Sequence, residues 1–308
     1  MGTRGTIIHR QLQGMDDVMA VRAFLSDVYG RTGDGRVWEI RRWEGMFWHD
    51  DPTKVRDRLS HPSPTIRLWF DGDQLVAVAH PEGVGDVHLQ VGPGYEGLTD
   101  AMLTWSESTL PGVDAHGRQR LTTFALGEDE SRREVLKARG YAKDDWHMVQ
   151  RWRDLTSPLP EAPVVAGYVI RPIVAGDARD AGSLAHLINA AFGHAFGPEA
   201  ITNFEHSPSF DADLQMVAVA PDGTFASHTG VTIDVSTSLA IVEPVCTHPD
   251  HRRLGLATAC MTAGLVGATE RGATRATVGT GHDNPSNHVY KALGFDGVEV
   301  VEAWSKTW

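Results

Sequence analysis

Apolar positions along the chain fall into two periods, and the order of those periods occurs twice. β-Branched runs stand at "TIIHRQL" (6–12) and "YVIRPIV" (168–174). Each is followed by a helix-compatible stretch, "DDVMAVRAFLSDVYG" (16–30) and "GDARDAGSLAHLINAAFG" (176–193). Both halves then show two apolar runs joined by an Asp-Gly turn, "TIRLWFDGDQLVAVA" (65–79) and "QMVAVAPDGTFASHTG" (215–230), which predict a strand, a tight turn and a strand. Late in each half come "EVLKARGY" (134–141) and "HVYKALGF" (288–295), which align Lys137 with Lys291, Gly140 with Gly294 and Tyr141 with Phe295. A self-similarity of this kind points to a duplicated unit.

The second half carries the clearer pattern. After its hairpin it reads as a strand at "SLAIVEPVCT" (238–247), a helix at "GLATACMTAGLVGATERG" (255–272), a strand at "ATRATVGTG" (273–281), a short helix at "PSNHVYKAL" (285–293) and a last strand at "GVEVVEAW" (297–304). That order predicts an α/β fold with a mixed central sheet flanked by helices, in which a strand feeds a helix and a parallel strand by a right-handed crossover. Between the halves, Pro158, Pro160 and Pro163 disfavour helix and sheet alike and mark a linker. The expected division is a domain at 1–157, a linker at 158–167 and a domain at 168–308.

Composition narrows the functions. At 308 residues and 41% hydrophobic, the chain has apolar surface for two cores. It shows no 18-residue apolar run, and its start has neither the apolar stretch nor the cleavage site of a signal peptide, so a cytoplasmic location is expected, without a membrane partner. Cys246 and Cys260, the two cysteines, form no paired framework or metal-ligand spacing. A net charge of −12 repels a phosphate backbone, which excludes nucleic acid as an expected partner, and mildly favours a cationic substrate. A homodimer is one assembly open to such a chain.

The candidate chemistry sits in "HPDHRRLGLATACM" (248–261). A helix start offers backbone N–H groups without internal partners and the positive end of a dipole, so it suits a phosphate. Gly255 and Ala257 leave room for an anion to reach the amides, and Arg252 and Arg253 add planar, charged forks. A metal site built from His248, Asp250, His251, His282 and Asp283 is the weaker reading, because His-x-x-His in a turn lacks the helical spacing of zinc-binding pairs; no metal is expected.

Arg252-x-x-Gly255-x-Ala257, placed after a strand and opening a helix, together with "DNPSNHVYKALGF" about thirty residues later, resembles the GCN5-related N-acetyltransferase (GNAT) superfamily. The resemblance is clear over 168–304 and faint over 6–152. It implies two tandem GNAT-like domains, the first a degenerate copy, with acetyl-CoA as cosubstrate of the second and a small-molecule or peptide amine as acceptor. It implies that the strand through Val245, Cys246 and Thr247 splays to receive pantetheine, with the Val245 amide polarising the thioester carbonyl. It also implies that Arg252, Arg253, Leu254, Gly255, Leu256, Ala257 and Thr258 form the pyrophosphate loop, and that Asn284 and Asn287 touch the cofactor's arm.

Two side chains are expected to move protons. Tyr290 is placed to protonate the departing thiolate, a role the aligned Leu136 cannot fill. Glu243 is the expected general base because strict strand alternation would set it on the face of Val245 and Thr247; Asp234, His228 and His282 are weaker candidates. The first half lacks the Arg-x-x-Gly-x-Gly/Ala pattern, its nearest counterpart being "VGPGYEGLTDAML" (91–103). The function expected is acetyl transfer to a primary amine by direct attack in a ternary complex; the alternative is an acyl-CoA sensor without turnover.

Overall fold

The computed structural model describes residues 6–308. In chain order it contains β1 (Ile7–Gln11), α1 (Gly14–Thr32), α2 (Ile40–Trp48), α3 (Pro52–Leu59), β2 (Arg67–Asp71), β3 (Gln74–His80), β4 (Asp86–Val91), α4 (Thr99–Thr109), β5 (Gly112–Val113), β6 (Gln119–Leu126), α5 (Glu130–Ala138) and β7 (Ala142–Asp154). Then follow β8 (Val169–Pro172), α6 (Ala178–Phe192), α7 (Pro198–Phe204), β9 (Gln215–Val219), β10 (Phe225–Asp234), β11 (Leu239–Thr247), α8 (Leu256–Glu270), β12 (Arg275–Gly281), α9 (Asn287–Ala292) and β13 (Gly297–Thr307). No helix of the described residues is long and apolar enough to cross a membrane.

Contacts divide the chain into two compact units whose membership departs from a cut at the linker. Of the described residues, unit 1 takes 6–40, Thr53–Gln150 and Glu299–Trp308; unit 2 takes Arg41–Pro52 and Arg151–Val298. Thus α2, from the first half of the sequence, packs with the second unit, and most of β13, the end of the chain, packs with the first.

Unit 1 is a mixed sheet in the order β1-β2-β3-β4-β6-β13. Its strands bury Trp69, Leu89, Leu121 and Trp304 with Met102 and Leu103 of α4. Unit 2 orders its strands β12-β11-β10-β9-β8, with the end of β7 along β12, where Arg151 O accepts from Thr277 Oγ1 at 3.1 Å. Alternation along β9 explains its two layers. Val217 faces the α6 side with Leu184, Ile188 and Cys246, while Met216 and Ala218 face α8 with Leu256 and Cys260.

The duplication is written in a detail that residue spacing alone conceals. In each unit an arginine on the first strand grips an aspartate in the first turn of the next helix with two hydrogen bonds: Arg10 to Asp17 at 2.5 and 2.6 Å, and Arg171 to Asp180 at 2.7 and 2.8 Å. Each aspartate also accepts a backbone N–H from the connecting turn, Gln13 in one and Val174 in the other. The paired guanidinium holds both carboxyl groups below the usual carboxylate range; burial opposes it, and is the largest influence at Asp17.

Candidate active site

The site begins where two parallel strands stop pairing. β11 and β12 are in register from Leu239↔Arg275 to Ile241↔Thr277, yet β11 goes on to Thr247 and β12 to Gly281. The carboxyl ends are therefore open to a ligand, the usual place for one in an α/β sheet. On its other edge β11 stays paired with β10, but the register shifts between Val231↔Val242 and Thr229↔Val245. Glu243 and Pro244 together stand opposite Gly230, which is a β-bulge. A Cβ on Gly230 would lie 2.6 Å from both the Glu243 carbonyl oxygen and Gln215 Oε1, so the bulge needs glycine there.

The bulge corrects the expected placement of Glu243. The extra residue puts Val242 and Val245 on one face, and both pack in the α8-side core. By the strand period Glu243, next to Val242, falls on the opposite face, the one where Cys246 packs with α6 and α7, and its charge acts on Arg41. Strict alternation had set it beside Val245 and Thr247; a two-for-one pairing breaks that period. Directly across from Val245, Thr229 keeps a buried hydroxyl without a hydrogen-bond partner among the described residues, an orphan of the kind a ligand or water satisfies.

The chain then turns through a short 3₁₀ segment, Pro249–His251, into the helix α8. Arg253 and Gly255 both take the left-handed conformation, at φ 65° and 83°. Two such residues turn the chain sharply into the helix, whose first amides suit an anion. The N–H of Ala259 closes the first turn on the Gly255 carbonyl, so the amides of Leu256, Ala257 and Thr258 are those a helix start leaves without an internal acceptor. Arg252, Arg253, Leu254 and Gly255 are exposed, whereas the Leu256 side chain is buried in the core and has only its backbone to offer. Thr247 accepts from Arg252 Nε at 3.4 Å through its carbonyl, and its hydroxyl meets Ser227 Oγ at 3.0 Å.

On the far side of the opening, α9 carries Tyr290. The residue is 4% exposed and packs in the core that Val245 borders. Burial pushes its phenol above the ordinary tyrosine value, while a hydrogen bond with Ser286 acts the other way; Ser286 Oγ in turn lies 3.3 Å from Thr280 Oγ1 at the end of β12. Asn287 is committed within the chain. It donates to the carbonyls of Gly281, His282 and Asn284 and accepts from Arg151 Nε at 2.8 Å. Asn284 is exposed, and its Oδ1 accepts from Ser286 N.

Glu243 faces a part of the site that the sequence reading missed. On α2, Arg41 and Glu44 are buried, and on α7 Phe204 lies under the Arg41 guanidinium at 3.9 Å. His49 stacks on Phe204 with centroids 4.5 Å apart. Burial drives the Arg41 pKa down, and the carboxylates of Glu243 and Glu44 oppose it. Burial first, and the charge of Arg41 as well, hold His49 down to about 4; His228, whose Nδ1 lies 3.1 Å from the Met216 carbonyl, is also held down to about 4, chiefly by burial. The only local signal was the spacing of Arg41, Glu44 and Gly45 on one helical face, with His49 just beyond the helix end; nothing in it says which unit that face joins.

The remaining candidates have other work or other places. Asp234 accepts from the N–H and hydroxyl of Ser236, closing the β10–β11 turn. The rings of His248 and His251 are 5.6 Å apart, with Tyr168 OH 2.8 Å from His251 Nδ1. Among the described residues no group of three or more histidine, cysteine or acidic side chains is arranged to hold a metal ion. Cys246 and Cys260 are buried thiols pushed up to about 12 by desolvation.

Unit 1 retains the outline of the site without its donors. β4 and β6 pair in parallel at Asp86↔Thr122 and Val87↔Thr123 and then part. Ahead of α4, however, the Gly94 N–H is taken by the Glu96 carboxylate at 2.9 Å, an anion supplied by the chain itself. At the place of Tyr290 stands Leu136, wholly buried.

Comparison with known proteins agrees with this geometry. Residues 182–295 match the family model described as the acetyltransferase (GNAT) family. None of the curated proteins compared with the chain matches it. Among solved structures, a GCN5-related N-acetyltransferase from Sphaerobacter thermophilus superposes with a TM-score of 0.65 at 17% identity, over 98% of this chain and 95% of the other. A tandem GNAT protein from the clavulanic acid biosynthesis pathway gives 0.63 at 17% identity over 98% of both chains. An acetyltransferase of the GNAT family from Colwellia psychrerythraea gives 0.63 at 10% identity, over 97% and 100%. The fold is that of tandem GNAT proteins.

Proposed function

Residues 182–295 form a domain of the acetyltransferase (GNAT) family, and from that premise we propose that unit 2 transfers an acetyl group from acetyl-CoA to a primary amine in a ternary complex. The observation that carries the reading is the joining of two features on one strand: β11 parts from β12 after Ile241, and six residues beyond Thr247 the chain makes a left-handed turn into a helix start. Acetyl-CoA would bring the activated acetyl group. The amides from Arg253 to Thr258 take the pyrophosphate, with Arg252 and Arg253 beside it. Val245, Cys246 and Thr247 offer the main chain of the opening, and the Val245 N–H stabilises charge developing on the carbonyl oxygen. Asn284, with its exposed side chain, is the better placed of the two asparagines to meet the cofactor's arm.

Glu243, on the α6–α7 face, receives the proton of the attacking amine. Tyr290 gives a proton to the leaving thiolate; its raised pKa keeps the phenol protonated through the neutral range. Unit 1, with Glu96 and Leu136 where a donor loop and an acid would stand, supports the fold without a second reaction centre. The burial of Tyr290 favours a second reading, an acyl-CoA-binding module without turnover, in which the tyrosine only packs. Thiol release from acetyl-CoA against a panel of amines separates the two, and the buried thiols of Cys246 and Cys260 leave little background in such an assay. Release that depends on an amine supports the transferase; binding of CoA with no release on any amine supports the module.

A further inference from the structure

We infer that the acceptor taken by unit 2 carries a carboxylate as well as an amine, with Arg41 holding the carboxylate and Glu243 facing the amine; this rests on the acetyl-transfer reading above. Arg41 is 5% exposed, yet its guanidinium makes one polar contact with the described residues, Nη2 to His49 Nε2 at 3.4 Å, near the limit of a hydrogen bond. The ring of Phe204, 3.9 Å away, supports the guanidinium plane without using any of its N–H donors. Glu243 and Glu44 act on it electrostatically, and Glu44 is engaged by Ser209 Oγ at 2.5 Å. A planar fork of five donors, largely buried with one long contact and with none of its nitrogens both sealed from outside and unpartnered, is the group that a ligand carboxylate satisfies with two parallel hydrogen bonds.

The surrounding charges select the class of ligand. Arg41 stands in the field of two carboxyl groups, Glu44 and Glu243. A simple amine, arriving as the ammonium, suits Glu243 but leaves the guanidinium donors unmet. A simple carboxylate or a phosphate brings negative charge toward two carboxylates. An amino acid or similar zwitterion answers both, positive end to Glu243 and negative end to Arg41, and adds no net charge.

The test compares, on the full-length protein with acetyl-CoA, each of the common amino acids with its decarboxylated amine and its carboxamide. For the best acceptor, the wild type is expected to prefer the acid over its amine and amide by about 10²-fold in kcat/KM, the scale of losing one partner of a buried charge pair. Arg41→Gln should erase that preference through KM, and Arg41→Lys should retain part of it. Equal use of acid, amine and amide by the wild type overturns the inference while leaving acetyl transfer standing, and this comparison needs no variant to fold. An Arg41→Gln change that lowers all three equally also overturns it. If no amine of any class releases thiol, the acetyl-transfer reading falls by itself. Saturation-transfer NMR on the CoA-loaded protein then decides the inference, with phenylalanine against phenethylamine as probes. Preferential binding of the acid upholds Arg41 as a carboxylate site for a bound amino acid, and binding of neither, or of the amine alone, overturns it.

Discussion

Tyr290 tests whether a buried phenol is chemistry or packing. Tyr290→Phe keeps the ring against Phe295 and Val245 and removes only the donor. Folding and acetyl-CoA affinity should persist while turnover falls by about 10²- to 10⁴-fold, the usual range for a positioned acid; steady-state kinetics beside a CoA titration checks it. Unchanged turnover would give the tyrosine back to the core. Glu243→Gln should behave differently, since its loss is relieved as pH rises and the amine deprotonates unaided, whereas rising pH should not rescue Tyr290→Phe. A pH series of kcat on both variants distinguishes them. The place of some candidates was legible from residue types: Gly255 and Ala257 stand at a helix start with Arg252 just before it, and a helix start is local in sequence. Arg41 was not legible, because its importance comes from burial beside Phe204 and Glu243, which are far away along the chain.

At the scale of elements, the bulge in β11 organises the site. Gly230→Ala puts a methyl group against the Glu243 carbonyl and Gln215, and should cost about 1–3 kcal/mol, the usual range for overpacking. Thermal unfolding reads that cost, and CoA affinity should fall with it as the strand shifts. A variant as stable as the wild type would show that the bulge does not depend on glycine. Strand and helix order along the second half followed from period and turn residues for β8, α6, β9 to β12, α8 and α9; α7 was not foreseen, and β13 formed at its expected place in the chain but pairs with β6 of unit 1. The face of Glu243 did not follow, because a two-for-one pairing depends on Gly230 across the ladder. The packing around α2 and β10 also sets a pH dependence. His49 and His228 are held down to about 4, while unfolded imidazoles titrate near 6.5. Between those values the unfolded chain binds more protons, so stability should be full at neutral pH and fall as pH drops below about 6.5 toward 4. His228→Gln should flatten that slope in denaturant titrations across the range; an unaltered slope would show that His228 is not buried neutral.

For the whole molecule, the duplication has left one unit with an Arg-x-x-Gly-x-Ala helix start and one without. Apolar pattern and the Lys-x-x-Gly alignments made the repeat visible, and the matching Arg10–Asp17 and Arg171–Asp180 pairs extend it. Unit membership of Arg41–Pro52 and Glu299–Trp308 was not visible, since pairing between distant segments leaves no local trace. The central claim is that acetyl-CoA is held by unit 2 at the start of α8, and by no equivalent place in unit 1, where Glu96 already occupies the Gly94 amide. Calorimetric titration of the full-length protein with acetyl-CoA, on the wild type and on Gly255→Val, tests it most directly. At φ 83° a β-branched residue is strained and crowds the helix start. The predicted result is one site per chain, lost or weakened at least about tenfold in Gly255→Val, a change of about 1.4 kcal/mol. Two sites per chain, or the same affinity in the variant, would contradict it.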